Sequence, residues 1–302
     1  MHKSRLLLKG LLKIFVAAAC LVAAIATYRF LLHPLIVSAF SLGERASSIV
    51  RRVNIFVAVV LSYWAFVRYY ERRAAQELSL PWRWIVLAAV AGSLSIGVTI
   101  LALYATGQYQ LVSFRGFGQA SGILATIWIA AVLEEVAFRG ILFRILEEGI
   151  GTRAAWVGSS VIFCAAHLAN NGVHWVTLLS VTLAGLMWAG VFIIWRNLWV
   201  AAAHHCCWNA TIFMIGLPLS GENWRAQAPF ETVSHGSVLW TGGAFGPEDS
   251  LVNIFVCLAI CVALWRLARR TDKVSAAGGL LLDSVKQIAD SAGNFPSSTL
   301  GG

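Results

Sequence analysis

The sequence predicts an all-α protein: a polytopic bundle of about eight membrane-spanning helices around an intramembrane polar cavity. Three observations carry that prediction. Of 302 residues, 59% are hydrophobic and only 12% charged, too little polar surface to clothe a water-soluble domain of this length. The apolar residues fall into runs of about 20, the length that crosses a bilayer at ~1.5 Å per residue. The few ionisable groups inside those runs gather on three of them.

Spans are expected at about 11–32, 53–70, 84–107, 119–146, 152–170, 174–195, 198–216 and 251–268. The N-terminal run, led by Lys3, Arg5, Lys9 and Lys13, is too long for a signal peptide and lacks a clean small-residue cleavage site. The fourth run is long enough to be tilted. The seventh is polar in its middle and needs shielding by neighbours. The domain reading is N-terminal transmembrane helices over 1–118, a core over 119–216, an extracytoplasmic loop over 217–250, a last transmembrane helix over 251–270 and a cytoplasmic, partly disordered tail over 271–302. Within the tail, Leu280–Ile288 is apolar enough to rest on a membrane surface.

The net charge of +9 is spread in short clusters between apolar runs, a pattern that speaks against nucleic acid and follows the positive-inside bias. With the N-terminus inside, fifteen Lys and Arg residues near span ends fall on the inner side and five on the outer. Both termini are therefore expected in the cytoplasm, and a bacterial inner membrane is the expected location. The five outer residues are Arg45, Arg51, Arg52, Arg115 and Arg225. All six cysteines lie in apolar runs, so no disulfide framework is implied.

Ionisable side chains at mid-span cost at least ~2.5–3.5 kcal/mol each on insertion scales, so their presence points to function. The fourth run holds Glu134, Glu135 and Arg139, the fifth Phe163 and His167, the seventh His204, His205 and Asn209. Glu135 and Arg139, four apart, share a helix face and can pair. Glu134, rotated by about 100°, needs a partner from another helix. Two adjacent acids in a low dielectric disfavour simultaneous ionisation, which suits one of them to accept a proton near neutral pH. The bland reading is an ion pair that only fixes helix packing. Phe163 and His167 also share a face, although a lone histidine there is more often a packing residue. His205 and Asn209 are again four apart, and imidazole beside carboxamide can donate to a developing oxyanion. His204 points elsewhere, as a packing or supporting group. Cys206 and Cys207 flank His205 but diverge from it on a helix, so a Cys–His nucleophile is not expected.

EExxxR, FxxxH and HxxxN in this order resemble the motifs of the CAAX-protease and bacteriocin-processing (CPBP) intramembrane proteases, which include the Rce1-like prenyl-protein proteases. The segment Asn197 to Asn209, NLWVAAAHHCCWN, looks like that family's extended third motif. The resemblance covers about 119–216. It implies an eight-helix bundle and an endopeptidase acting near a substrate's C-terminus or a membrane-anchored segment. It implies that Glu134 activates water, that His167 assists, and that His205 and Asn209 stabilise the oxyanion. Glu135, Arg139 and Phe163 are then supporting residues. The implied partners are membrane lipids and a membrane-associated or lipidated protein or peptide substrate.

The cofactor stays open between none and a single divalent metal such as zinc, for which Glu134, His167 and His205 are the candidate ligands. The absence of an HExxH helix, with ligands drawn from three helices, favours a metal-free glutamate mechanism. Competing functions are a transporter or proton-coupled carrier, against which the lack of repeated halves counts, and a non-catalytic immunity or scaffold protein.

Overall fold

A computed structural model describes residues 2–118 and 120–276, with side chains from Leu8 onward. The helices are α1 (His2–Ala26), α2 (His33–Ala39), α3 (Glu44–Ala65), α4 (Trp82–Ala105), α5 (Ala120–Glu135), α6 (Arg144–Ala166), α7 (Trp175–Trp195), α8 (Leu198–Met214), α9 (Val238–Thr241) and α10 (Leu251–Arg270). π-helical turns fuse α1 to α2 through Thr27–Leu32, lengthen α3 through Phe66–Tyr70, and join α5 to α6 through Val136–Phe143. Two strands, β1 (Tyr109–Phe114) and β2 (Phe230–Ser234), complete the chain order.

Among the described residues six stretches are long and apolar enough to cross a membrane: Leu8–Ala39, Glu44–Tyr70, Trp82–Ala105, Ala120–Ala166, Trp175–Trp195 and Leu251–Arg270. The expected count of eight is therefore not reproduced by length and composition, and the difference has two causes. Ala120–Ala166 runs as one stretch of 47 residues where two spans are expected. It is nonetheless broken at Gly151, whose φ of 81° and ψ of 163° are non-helical, a backbone state glycine reaches without a Cβ penalty. Leu198–Met214 has 17 residues, one turn short of a comfortable span.

Local chemistry sets the boundaries. Pro81 precedes the first turn of α4, where a missing N–H costs nothing. His174 and Thr177 form a reciprocal cap at the start of α7. Arg196 ends α7 in the left-handed region at φ 48°. The Oδ1 of the next residue, Asn197, accepts from the Val200 N–H at 3.0 Å and opens α8. The Ser250 Oγ caps α10 by accepting from the Asn253 N–H at 3.1 Å.

Helices α7 and α8 form the centre. α8 packs against α4 and α5, and α7 against α6 and α10. The close approach of α4 to α8 rests on Gly92, where a Cβ would come within 2.1 Å of the His204 carbonyl oxygen. Outer helices turn large apolar side chains outward, among them Phe15, Phe30, Leu94, Leu101 and Phe255. Such a surface suits a lipid solvent, and the chain is an integral membrane protein.

The strands are the departure from a purely helical expectation. β1 pairs antiparallel with β2, from Tyr109 opposite Ser234 to Phe114 opposite Phe230, with a bulge between Leu111 and Ser113. YQLVSF and FETVS carry the aromatic and β-branched content that strands favour. Their pairing brings the 217–250 segment back over one end of the bundle. The opposite end is laced by ion pairs: Arg144 to Glu71 at 2.8 Å, Arg73 to Glu77 at 2.6 Å, Lys13 to Glu148 at 2.9 Å, and Arg196 to Glu147. The expectations for the distal tail, including Leu280–Ile288, lie outside the described residues.

Candidate active site

The two carboxylates that end α5 face different surroundings. Glu135 is fully buried and Arg139 is 2% exposed. The Arg139 Nη1 donates to Glu135 Oε1 at 3.0 Å, and its Nη2 donates to the Gly185 carbonyl of α7 at 3.0 Å. The guanidinium carbon lies 4.9 Å from the Phe163 ring centre and 5.8 Å from that of Trp188, cation–π contacts that further shelter a buried charge. The π-helical turn begins immediately after Glu135 and contains Arg139. A widened turn at this position is a common accompaniment of functional sites.

Glu134 keeps 30% of its side chain accessible. Its Oε2 stands 3.8 Å from the His205 Nε2 of α8, so its nearest opposite-charge candidate comes from another helix. The His205 Nδ1 lies 2.9 Å from Glu135 Oε1. An ionised carboxylate can only accept, so Nδ1–H is the donor and the Nε2 edge is turned to Glu134. The imidazole is stacked on Trp188 at 3.6 Å and 21°. His205 is thus fixed on one edge by Glu135 and on one face by Trp188.

His167 sits at the C-terminal end of α6, where its Nδ1 lies 2.8 Å from the Phe163 carbonyl oxygen. The carbonyl requires Nδ1–H, which leaves a lone pair on Nε2 in the neutral ring. Phe163 holds the ring at 4.4 Å between centres and itself meets Phe138 edge-on at 4.9 Å. Asn209 follows His205 by one helical turn, and its Oδ1 is buried without a hydrogen-bond partner.

One cavity of about 340 Å3 is lined by Glu134, Phe163, His167, Trp188, His205 and Asn209 together. Spans five and seven are short: the segment after Gly151 ends at Ala166, and α8 has 17 residues. His167 therefore stands at a helix end inside the bundle and shares the cavity with His205, seven residues into α8. His204 faces away from the cavity and accepts from the Trp188 Nε1–H at 3.1 Å.

The sequence reading missed two contributors. Trp188 lies in a continuous apolar run and carries no polar signal. Glu248 reads as a loop charge, but the 217–250 segment folds onto the cavity and adds this carboxylate to its lining. Its oxygens accept from the Ser220 N–H at 2.9 Å, the Ser220 hydroxyl at 2.8 Å and the Trp208 Nε1–H at 3.2 Å. Burial pushes its carboxyl above the ordinary value despite these donors.

The candidate zinc ligands do not assemble as a coordination sphere. Among the described residues no three His, Cys, Asp or Glu side chains stand close enough together to hold a metal ion. Glu134, His167 and His205 share a cavity but not a ligand-distance cluster, so as placed they do not fit a three-ligand site.

Residues 116–211 match the family model described as type II CAAX prenyl endopeptidase Rce1-like. Over that stretch the chain is similar to that family. The Rce1-like segment contains every one of the motif residues and the resemblance read from them is borne out there. The matched family is one of CAAX-type peptidases, and the match takes in residues 116–211 of the 302. No curated protein and no solved structure matches it.

Proposed function

We propose that this chain is an intramembrane endopeptidase that hydrolyses a peptide bond near the C-terminus, or beside the membrane-anchored segment, of a membrane-associated or lipidated protein. A prenylated C-terminus is the substrate class that the matched family's description suggests. The observation that supports this most is the shared cavity: Glu134, His167, His205 and Asn209 line it from three helices, while Glu135 and Arg139 stand behind it.

Peptide hydrolysis needs an activated nucleophile and stabilisation of the tetrahedral oxyanion. In this reading Glu134, the more accessible carboxylate, takes a proton from water as that water attacks the carbonyl carbon. The free Nε2 of His167 accepts from the same water and orients it. The developing oxyanion lies towards α8, where the Asn209 amide donates from one side. His205 donates from Nε2 when its ring carries both protons, since Nδ1–H is committed to Glu135. Proton return from Glu134 to the departing amine completes the cycle with no net change in the protein. Buried aromatic walls from Phe163 and Trp188 keep bulk water away, which strengthens each of these interactions.

The division into a supporting 1–118 region, a 119–216 core, a 217–250 cap, a last helix and a tail belongs to the same proposal. So does placement in a bacterial inner membrane with cytoplasmic termini, supported by the concentration of Lys and Arg at the end of the bundle opposite the strands. The test is cleavage of a fluorogenic prenylated peptide by the full chain in liposomes. Glu134→Ala should reduce turnover to background while leaving expression and the melting profile in place. Normal cleavage by that variant would rule out the mechanism.

A further inference from the structure

Of the buried and half-buried arginines among the described residues, Arg73, Arg139, Arg144 and Arg196 are held by Glu77, Glu135, Glu71 and Glu147, and Arg225 donates to the Gly216 and Thr232 carbonyls. Arg51 and Arg52 have neither a carboxylate nor a carbonyl partner among them. They sit in the first turns of α3, half-buried, with the exposed Arg45 nearly two turns before them. Among the described residues none of the three makes an ion pair. The three line a groove of about 840 Å3 between the starts of α3 and α5, with Ser48 and Ser121 beside them and Glu44 at the rim. Arg52 is laid across α5. Its Nε donates to Thr126 Oγ1 at 3.3 Å, and a Cβ added to Gly122 would lie only 3.4 Å from its Nη2.

An unpaired, half-buried guanidinium at the end of a membrane span is a costly arrangement unless an anion meets it. The level of the groove identifies the source of that anion. It opens at the end of the Glu44–Tyr70 span, where headgroups lie. Ile49 and Val53, also lining it, are 53% and 54% exposed and offer apolar surface to acyl chains alongside the arginines. We infer that this groove binds the phosphate of an anionic phospholipid headgroup, with Arg45, Arg51 and Arg52 as its cationic wall and the serine hydroxyls as further donors. Arginine suits the task because its planar fork can grip a phosphate through two parallel bonds. The site is separate from the proposed peptidase chemistry but coupled to it in space. Thr126, which Arg52 holds, lines the catalytic cavity two helical turns from Glu134, about 12 Å along α5.

Binding is read by native mass spectrometry of the detergent-purified full chain titrated with phosphatidylglycerol or phosphatidylcholine. Phosphatidylglycerol should bind preferentially. Arg51→Gln with Arg52→Gln should weaken it by about 25-fold, at about fivefold per arginine near the membrane surface, and leave phosphatidylcholine unchanged. Millimolar inorganic phosphate should not displace the lipid. Equal retention of the two lipids, or wild-type affinity in the double variant, overturns the inference. Displacement by inorganic phosphate, or by a peptide with a free C-terminal carboxylate, also overturns it and reassigns the groove to a soluble anion or to substrate. Should the double variant fail to fold, the exposed Arg45 takes its place: Arg45→Gln alone should weaken phosphatidylglycerol about fivefold, and an unchanged affinity counts against the lipid.

Discussion

Replacing Glu135 by Gln keeps the shape of the side chain and removes its charge from a site with almost no access to solvent. Two groups depend on that charge: Arg139, whose Nη1 is 3.0 Å from Oε1, and His205, whose Nδ1 is 2.9 Å from the same atom. An amide oxygen can still accept from both. The guanidinium, 2% exposed, is then left without a counter-charge. Removing one partner of a buried pair costs ~3–5 kcal/mol, chiefly because the other charge stays buried. Here the Gly185 carbonyl and the faces of Phe163 and Trp188 still support Arg139, so the lower end, about 3 kcal/mol, is expected. Arg139→Met should cost a similar amount by leaving Glu135 as the orphan. The double variant removes both charges, so its cost should fall short of the sum by roughly 2 kcal/mol, within the usual coupling range for contacting residues. Equilibrium unfolding in bicelles across this four-member cycle measures the coupling. Additive costs, or a Glu135→Gln loss below about 1 kcal/mol, would refute the reasoning that this pair is a desolvated unit.

Asn209→Ala should lower kcat by about 10²–10³ with little change in KM, the loss typical of one oxyanion donor. Its melting temperature should hold, because the buried Oδ1 has no partner to lose. Gly92→Ala should destabilise by ~1–3 kcal/mol or more, since the nearest atom to the new Cβ is a backbone oxygen that cannot swing away. Gly97→Ala on the same helix, with nothing within 4 Å, should be neutral, and thermal unfolding of both distinguishes a tight crossing from a general intolerance of α4. Burial alone would raise the Glu77 carboxyl, but hydrogen bonds from Arg73 and Tyr63 outweigh it and hold it below the ordinary carboxylate value. A depressed folded value means stability that is fully present above the unfolded pKa of about 4.3 and lost as pH falls through the folded value. The advantage of wild type over Glu77→Gln should stay level from pH 7 to about 5 and shrink below about 4.3 in melts followed by intrinsic fluorescence.

Much was legible in the order of residues because it rests on local rules. Run lengths located the helices, with some ends off by up to nine residues, as where α3 starts at Glu44 against an expected 53, and Gly151 makes the expected break between 146 and 152. Spacings of four placed Glu135 with Arg139, Phe163 with His167, and His205 with Asn209 on common faces, because a helix repeats nearly every fourth residue. The family stretch followed from those spacings. What stayed hidden involves partners far apart in the chain. The β1–β2 pairing joins segments more than a hundred residues apart, and two short alternating runs do not announce each other. Trp188 under His205 has the composition of any apolar helix residue; only the packing of α7 on α8 makes it a stacking platform. Glu248 has the sequence context of a loop charge, and only the folded segment buries it against the cavity. The sequence by itself determined that the solvent is lipid and which side chains are too polar to be there by accident. The tertiary structure decided where those side chains meet, because burial and convergence depend on distances between helices that no local repeat encodes.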